Sequence, residues 1–284
     1  MEAGRRLAAY WSWRWAQHER RRYCLGNLMS ENTFHFKGYD LPERLVNLTG
    51  GGPDTFDMIS QAHISDLHRY LGLKSDSSLL EIGCGIGRDA IPLTEILTEG
   101  RYEGVDIIGD SIAWLKANLT PKHPNFQFHH FDVEDQLHNP TGKDDMRSFR
   151  MPVDDNSMDG VFGWSVFTHM LSDYIEHYLA EFHRILKPGG RGFLTCFLYN
   201  DAVLAKARET NLTPFDLRFE HPWGEGCLIN DPVHPLGAVA YSDERLHQLV
   251  AGSGLRLERI ALGSWSGYWP APEGGQDALL LIKD

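Results

Sequence analysis

A glycine-rich turn is the stretch of this chain with the clearest potential for chemistry. It lies in the segment LLEIGCGIGRDA, residues 79–90, in which an apolar run ends in glycines and a helical pattern follows. Glycine carries no Cβ atom, so it allows the backbone to approach a ligand closely. The segment therefore predicts a site for a nucleotide-type cofactor.

Two readings of this turn compete. Read from Gly85, GIGRDA fits the dinucleotide pattern G-x-G-x-x-A. Read from Gly83, GCGIG is G-x-G-x-G, and an acidic residue, Glu81, stands two positions before it. Neither match is specific by itself, so the rest of the chain must separate them. No G-x-x-x-x-G-K-[ST] motif occurs, which argues against a P-loop.

Strands and helices that could position this turn alternate from residue 78 onwards. Strands are predicted at 78–83, 102–107, 126–133, 158–165, 191–198, 255–265 and 276–283, and helices at 87–100, 110–119, 172–187 and 242–254. This alternation predicts an α/β fold, a doubly wound and mostly parallel sheet covered on both faces. Such sheets bind ligands beyond the C-terminal ends of their strands, where the strand order reverses.

Composition and charge exclude several classes of protein. Apolar residues make up 42% and charged residues 23% of the 284 residues, which is ordinary for a globular protein with a core. The formal net charge of −12 argues against a protein built mainly to bind nucleic acid. No apolar run is long enough to predict a membrane span. The four cysteines show no C-x-x-C spacing and no secretory signal is evident, so we expect a cytoplasmic protein.

Five motifs occur in a fixed order along the chain. They are EIGCGIG (81–87), GVDI (104–107), FDVED (131–135), MDGVFGWSVFTHM (158–170) and EFHRILKPGG (181–190). As a set, they resemble the class I, Rossmann-like, S-adenosylmethionine-dependent methyltransferases of the small-molecule type. The resemblance covers about residues 70–200, and the end of the chain matches the expected final helix and strands. It implies a seven-stranded sheet.

The resemblance also implies a cofactor, S-adenosyl-L-methionine, with S-adenosyl-L-homocysteine as its product. In this reading Asp106 lies beside the ribose, Glu81 helps to place the methionine end, and Asp132 and Val133 contact the adenine. For Trp164, packing in the core is as good an interpretation as lining the cofactor pocket. An acid-lined site suits a sulfonium cation better than a pyrophosphate. The cofactor-binding residues expected from the resemblance are Glu81, Gly83, Cys84, Gly85, Gly87, Asp106, Ile107, Asp132, Val133, Trp164 and Ser165.

The implied reaction is displacement at the sulfonium methyl by an oxygen, nitrogen or carbon nucleophile. Much of its rate can come from placing the nucleophile in line, and a hydroxyl also benefits from a general base. His169 in SVFTHM is the main candidate base, and Asp173 could orient its ring on a helix. Packing under the cofactor or helix capping is nevertheless the favoured interpretation of His169. His221 and His234 are weaker candidates.

Residues 200–240, here called the cap segment, read as irregular and rich in proline, glycine and aromatics. Their position after the fifth strand predicts a substrate cap. The acidic cluster near residue 133 is interpreted as a solvated loop, so no metal site is predicted. The candidate pocket-lining residues in or beside the cap segment are Phe219, His221, Trp223, His234 and Tyr241.

The N-terminal part, residues 1–70, is predicted to form a helical extension or lid, and residues 71–284 the Rossmann-like domain. Three tryptophans, Trp11, Trp13 and Trp15, stand among arginines. A lid or homodimer contact is the favoured interpretation, and peripheral membrane contact is the alternative. Residues 47–56 read as a loop over the site.

The sequence thus predicts S-adenosylmethionine-dependent methyl transfer to a small-molecule acceptor. A hydroxyl oxygen of a natural product or a sugar-containing metabolite is the favoured acceptor, by analogy with tailoring enzymes. No Asn-Pro-Pro-Tyr-type motif follows the fourth strand, where the chain has GWSVF, which argues against amino-methylating nucleic-acid enzymes. Carbon or nitrogen methylation, a nicotinamide-dependent oxidoreductase and a non-catalytic cofactor-binding protein remain the alternatives.

Overall fold

The computed structural model describes residues 32–135, 139–213 and 215–284. The tryptophan- and arginine-rich N-terminus lies outside these residues, so its role stays a prediction. The strands and helices are β1 Thr33–Phe36, β2 Tyr39–Pro42, α1 Glu43–Val46, α2 Pro53–Asp66, β3 Ser78–Ile82, α3 Ala90–Ile96, β4 Arg101–Asp106, α4 Gly109–Asn118, β5 Phe126–His130, β6 Met158–Gly163, α5 Ser172–Ile185, β7 Leu186–Cys196, β8 Leu198–Tyr199, α6 Asp201–Thr210, β9 His221–Pro222, β10 Cys227–Ile229, β11 Val239–Ser242, α7 Asp243–Ser253, β12 Arg256–Ala261 and β13 Asp277–Ile282.

A seven-stranded sheet forms the centre of the molecule, with the strand order β5–β4–β3–β6–β7–β13–β12. Strands β3 to β7 pair in parallel with one another, whereas β13 is antiparallel to both β7 and β12. The predicted α/β fold with a mostly parallel sheet is confirmed. The strand order reverses between β3 and β6, so a ligand site is expected beyond the C-terminal ends of these two strands.

The two faces of the sheet carry the main core. On one face, Ile175, Leu179 and Phe182 of α5 are fully buried against the sheet, as their helical spacing predicted. On the other face, Leu79 of β3 and Phe126 of β5 pack with residues of α2, α3 and α4. Both faces are therefore covered, which holds the strand ends in one fixed relationship.

Some element boundaries differ from the prediction. Strand β7 begins at Leu186, although Pro188, Gly189 and Gly190 predict a break before residue 191. The amide of Gly189 bonds the carbonyl of Lys283, and the amide of Lys283 bonds the carbonyl of Gly190. Tertiary pairing therefore overrides the local turn signal. The predicted helix 87–100 shortens to α3 because the glycine turn extends to its first residues.

The described part of the N-terminal segment contains a hairpin as well as helices. Strands β1 and β2 pair antiparallel, and Phe36 and Leu41 join Phe56 of α2 in the core beside β3. This segment packs on the same sheet face as α3. The division at residue 70 into an extension and a domain stays a prediction.

The cap segment is more regular than its sequence indicates. It contains α6, and its strands form a separate four-stranded sheet of order β8–β11–β10–β9 with the flanking β8. These strands are two to four residues long, too short to show a periodic pattern. A small core of its own supports it: Phe197, Val203, Leu204, Ala207, Leu217, Phe219, Ala238, Ala240 and Trp265. Among the described residues, no helix is both long and apolar enough to cross a membrane.

Candidate active site

The glycine turn follows β3 at the reversal of strand order. Gly83, Gly85 and Gly87 have φ values of +73°, +52° and +87°, in the left-handed region that favours glycine. A Cβ atom on Gly83 would lie 2.8 Å from Val166 Cγ2, and one on Gly85 would lie 2.8 Å from Thr49 Cγ2. Backbone conformation and space therefore both require glycine at this turn.

Asp106 ends β4 next to the turn, as predicted, and is buried. Its Oδ2 accepts a hydrogen bond of 2.6 Å from the amide of Gly85, and its Oδ1 accepts one of 2.8 Å from the amide of Ile108. The carboxylate thus ties the glycine turn to the turn between β4 and α4. This location matches that of an acid beside a nucleotide ribose.

A buried acidic pair lies beside the same turn. Glu81 on β3 accepts a hydrogen bond from the hydroxyl of Tyr102 on β4. Burial raises the pKa of Glu81 well above its usual value, and the charge of Asp89 raises it further. Asp89 precedes α3 and is also buried. Two acids therefore lie close together where the resemblance places the methionine end of the cofactor.

His63 of α2 completes this cluster. Its Nδ1 lies 2.7 Å from Oδ2 of Asp89, and its ring stacks on the indole of Trp164 with centroids 3.8 Å apart and planes 9° apart. Trp164 follows β6, so three separate elements meet here. Sequence reasoning missed both His63 and Asp89. Asp89 could have been noticed within GRDA, but nothing in the sequence links it to a histidine 26 residues earlier.

Arg88 anchors the loop that precedes α2 beside the turn. Its Nη1 donates to the carbonyl oxygens of Thr49 and Gly50, at 3.0 and 3.2 Å. These bonds help to hold the Thr49 side chain against Gly85. The loop predicted to lie over the site therefore contacts the glycine turn directly.

The segment after β5 contains the residues predicted to contact the adenine. Asn139 donates its side-chain amide to Oδ1 of Asp132 at 3.1 Å and to the carbonyl of Val133 at 2.9 Å. Val133 is buried, whereas Asp132 is half-buried. Both follow β5 at the same sheet edge as Asp106. Their role toward the cofactor stays a prediction.

The remaining predicted cofactor residues lie at the same edge. Ser165 has a φ of +57°, its amide donates to Thr195 Oγ1 at 2.7 Å, and its hydroxyl bonds the Gln276 side chain. Cys84 is buried within the turn, where burial raises the pKa of its thiol. Ile107 follows Asp106 and packs against the core. The turn thus holds Cys84 as a packed, protonated thiol.

His169 lies in a short 3₁₀ turn after β6. Its Nδ1 is 2.9 Å from the carbonyl oxygen of Leu236 in the cap segment. Asp173, predicted to orient this ring, instead accepts a hydrogen bond of 3.2 Å from Arg147. The His169 ring is therefore oriented by the backbone carbonyl of Leu236 in the cap segment, and not by the Asp173 carboxylate as predicted.

The other candidates of the cap differ in exposure. His234 is partly buried, and its Nδ1 is buried with no hydrogen-bond partner among the described residues. His221 is exposed on β9, as is Trp223 just beyond it. Phe219 and Tyr241 are fully buried, so they build the core rather than line a pocket. The Tyr241 hydroxyl donates to the carbonyl of Met170 at 2.7 Å, next to His169.

These residues fit S-adenosylmethionine. At Gly85 an added Cβ would clash with its surroundings. Asp106 lies at the strand end where the resemblance expects an acid that binds the ribose. One carboxylate oxygen of the buried Asp89 has no hydrogen-bond partner among the described residues. An acid-lined cradle suits a cofactor that carries a sulfonium and an ammonium. Within the described residues, no group of three or more histidine, cysteine, aspartate or glutamate side chains is placed to hold a metal ion.

Comparison with known proteins agrees with this geometry. A family model described as a methyltransferase domain matches residues 79–190, which include the glycine turn and Asp106. Sterol 24-C-methyltransferase ERG6B of Gibberella zeae is 28% identical over 137 residues, which cover 48% of this chain and 32% of that protein. The sterol 24-C-methyltransferase of Kluyveromyces lactis is 27% identical over 176 residues, 61% of this chain and 41% of that protein. The chain thus spans less than half the length of these curated relatives.

Solved structures share the fold. Magnesium protoporphyrin IX methyltransferase from Synechocystis, crystallised with bound S-adenosylhomocysteine, superposes with a TM-score of 0.50 at 12% identity, covering 95% of this chain and 96% of its own. The family match includes the residues that build the glycine turn and β3 to β6 of the central sheet. Residues 79–190 therefore match a methyltransferase domain, and the described residues share the fold of a solved methyltransferase.

Proposed function

We propose that this protein transfers the methyl group of S-adenosylmethionine to a small-molecule acceptor, with a hydroxyl oxygen as the accepting atom. The observation that carries the proposal is the bond between the Asp106 carboxylate and the amide of Gly85 at the reversal of strand order. This bond joins the acid at the end of β4 to the glycine turn after β3. These are the two groups needed to hold a nucleoside at the C-terminal edge of the sheet.

The cofactor supplies a methyl group that is already activated by its sulfonium. The chain's own part is to bind, orient and exclude water. Asp106 would hold the ribose hydroxyls, the turn from Gly83 to Gly87 would carry the amino-acid side, and Asp132 with Val133 would contact the adenine. Positioning of this kind can supply much of the rate enhancement for a displacement reaction.

His169 supports a hydroxyl as the acceptor. A carbonyl oxygen can only accept, so the contact with Leu236 requires a proton on Nδ1 of His169. In the neutral ring this leaves the lone pair on Nε2, which is the nitrogen able to take a proton from a hydroxyl. The contact with the cap segment supports this role, because the cap is the segment that we expect to enclose an acceptor.

The cap segment supports a small molecule rather than a polymer. It forms its own sheet and core beside the active edge, and it contacts the turn that carries His169. The net charge of −12 disfavours nucleic acid. A natural product or a sugar-containing metabolite is our proposed acceptor class, by analogy alone. The cytoplasmic location and the homodimer stay predictions.

A carbon acceptor is the second candidate. Two of the curated relatives are named as sterol 24-C-methyltransferases. Transfer to carbon needs stabilisation of a cation in the acceptor, and a buried acid or an aromatic face would provide it. The two candidates differ in the bond that is formed, so the product itself distinguishes them.

Two measurements test the proposal. Calorimetric titration with S-adenosylmethionine, S-adenosylhomocysteine and NAD in parallel should show binding of the first two only. Incubation with methyl-labelled S-adenosylmethionine and a panel of hydroxylated, amino and isoprenoid acceptors should then transfer label, and mass spectrometry should locate it on oxygen. Binding of NAD alone would contradict the methyltransferase assignment, and label on carbon would favour the second candidate.

A further inference from the structure

Asp277, the first residue of β13, lies where the chain leaves the central sheet for the cap segment. It is fully buried and pairs with Cys196, the last residue of β7. Burial raises the pKa of its carboxyl to about 6, and hydrogen bonds to the carboxylate partly offset this rise. The group is therefore mostly ionised near pH 7, and among the described residues no cation pairs with it. A buried charge of this kind must be stabilised by hydrogen bonds.

Three N–H groups from separate parts of the chain donate to this carboxylate. Its Oδ1 accepts from the amide of Gly263 at 2.7 Å, and its Oδ2 accepts from the amide of Leu198 at 2.8 Å and from the indole Nε1 of Trp265 at 2.6 Å. Leu198 begins β8, which joins the four-stranded sheet of the cap, and Trp265 belongs to the small core of the cap. Hydrogen bonds to a charged acceptor are the strong ones, so Asp277 fixes both β8 and the cap core to β13.

A continuous set of contacts leads from this carboxylate to the candidate base. Leu198 of β8 lies opposite Tyr241 of β11 in a parallel pair. The hydroxyl of Tyr241 donates to the carbonyl of Met170 at 2.7 Å, and Met170 follows His169 in the chain. The three residues between Asp277 and His169 are all buried. Because buried side chains are closely packed, a displacement of β8 is transmitted to the turn that carries His169.

We propose that Asp277 is a positioning residue for His169 and acts through the pairing of β8 with β11. The inference rests on the proposed function, in which Nε2 of His169 takes the proton of the acceptor hydroxyl. Leu236, whose carbonyl holds Nδ1 of the same ring, lies shortly before β11. Both contacts that hold the turn, those of Leu236 and Tyr241, therefore depend on where β11 lies. Asp277 sets that position, because it ties the neighbouring strand β8 to the central sheet.

Nuclear magnetic resonance of the Nδ1 proton of His169 tests this assignment without an acceptor. The proton bonds the Leu236 carbonyl and should give a resolved signal, which His169→Gln identifies by removing it. Asp277→Asn keeps the size of the side chain but removes its charge and one acceptor oxygen, and Tyr241→Phe removes only a hydroxyl. Each change should speed exchange of this proton with solvent about tenfold, as expected for the loss of one hydrogen bond. Unchanged exchange in either variant would overturn the inference.

A double-mutant cycle separates positioning from a general loss of stability. If the two side chains act along one path, the variant with both Asp277→Asn and Tyr241→Phe should exchange no more than about twofold faster than the faster single variant. Effects that multiply would mean that the two residues act independently, and the inference would be wrong. Backbone amides of β3 and β4 should keep their exchange rates in all three variants. Faster exchange there as well would show that Asp277 only stabilises the fold.

The chain offers a matched control at the opposite end of the sheet. Asp159 of β6 also accepts a hydrogen bond from a backbone amide, that of Ser78 at 2.8 Å. Asp159→Asn should leave exchange of the His169 proton unchanged. A change as large as that in Asp277→Asn would mean that the signal reports any lost aspartate, and the inference would be wrong.

A milder variant covers the case in which Asp277→Asn folds poorly. Trp265→Phe removes one of the three donors to Asp277 and keeps an aromatic ring in the cap core, so exchange of the His169 proton should rise about threefold. No rise, or no resolved proton signal in the unmodified protein, would overturn the inference. Failure of the unmodified protein to bind S-adenosylhomocysteine would instead contradict the proposed function and leave the proton signal in place. The two failures are therefore distinguishable.

Discussion

Nδ1 of His169 lies 2.9 Å from the carbonyl oxygen of Leu236, and this contact joins the turn after β6 to the cap segment. The two residues are 67 positions apart, and the contact fixes which ring nitrogen carries the proton. The buried hydroxyl of Tyr241 donates to the carbonyl of Met170, so the cap also holds the next residue. The candidate base is thus oriented by the same segment that we expect to enclose the acceptor.

We expect His169→Ala to reduce turnover about 100-fold or more, because general-base catalysis contributes on that order. Cofactor affinity should change less than about twofold, since the ring is held by the cap. Steady-state kinetics and calorimetry measure the two effects separately. His247→Ala, on the exposed side of α7, is the control and should change neither. Equal losses of turnover and affinity would assign His169 a packing role.

We expect Asp106→Asn to weaken S-adenosylmethionine binding about tenfold or more, because an acceptor of hydrogen bonds loses its charge. One oxygen remains, so the bond from either Gly85 or Ile108 can persist and the fold should survive. Calorimetry and thermal unfolding report the two effects. Asp110→Asn, four residues on and exposed, removes only a surface ion pair with Arg44 and should bind normally. Normal binding by Asp106→Asn would contradict the ribose assignment.

Gly85→Ala should abolish cofactor binding. The substitution adds a Cβ 2.8 Å from Thr49 Cγ2 and forces alanine to adopt a φ of +52°. Left-handed strain alone costs about 1–2 kcal/mol. Gly189→Ala separates the two effects, because Gly189 has a φ of +80° but nothing within 4 Å of an added Cβ. It should lower the unfolding free energy by a similar strain while leaving cofactor affinity intact. If both variants lost cofactor binding, the cause would be lower stability of the fold and not a changed shape of the glycine turn.

Asp66 at the end of α2 should make stability fall as pH rises. Burial raises its pKa to about 6, above the usual value near 4, and Arg69 only partly offsets this. A raised pKa in the folded state means that folding holds the proton, so this contribution is lost between about pH 4 and pH 6. Asp66→Asn should therefore raise the unfolding free energy by about 1 kcal/mol more at pH 7.5 than at pH 4.5, allowing for solvent screening.

Urea unfolding at the two pH values measures this difference. Asp57→Asn, on the exposed side of the same helix, is the matched control and should show no such dependence. If Asp66→Asn changed the unfolding free energy by the same amount at both pH values, the Asp66 carboxyl would have its ordinary pKa in the folded protein, and the prediction would be wrong.

Much of the central sheet, together with the glycine turn and Asp106, could be predicted from the sequence. The glycine turn, Asp106 and the heptad-like spacing of α5 are local signals, because backbone conformation and side-chain period act within a few residues. The cap segment could not be read, since its strands are two to four residues long and are stabilised by pairing with distant strands. For the same reason β7 extends through a proline and two glycines.

The sequence by itself determined the strands of the central sheet and the helices α3, α4, α5 and α7, the turn that favours glycine, and the acid at the end of β4. Tertiary structure alone decided the partner of each buried polar group. Asp89 pairs with His63 rather than capping α3, Asp173 pairs with Arg147, and the Leu236 carbonyl holds His169. The physical reason is that hydrogen bonds between side chains depend on which elements the sheet brings together, and contacts 26 and 67 residues apart leave no local pattern in the chain.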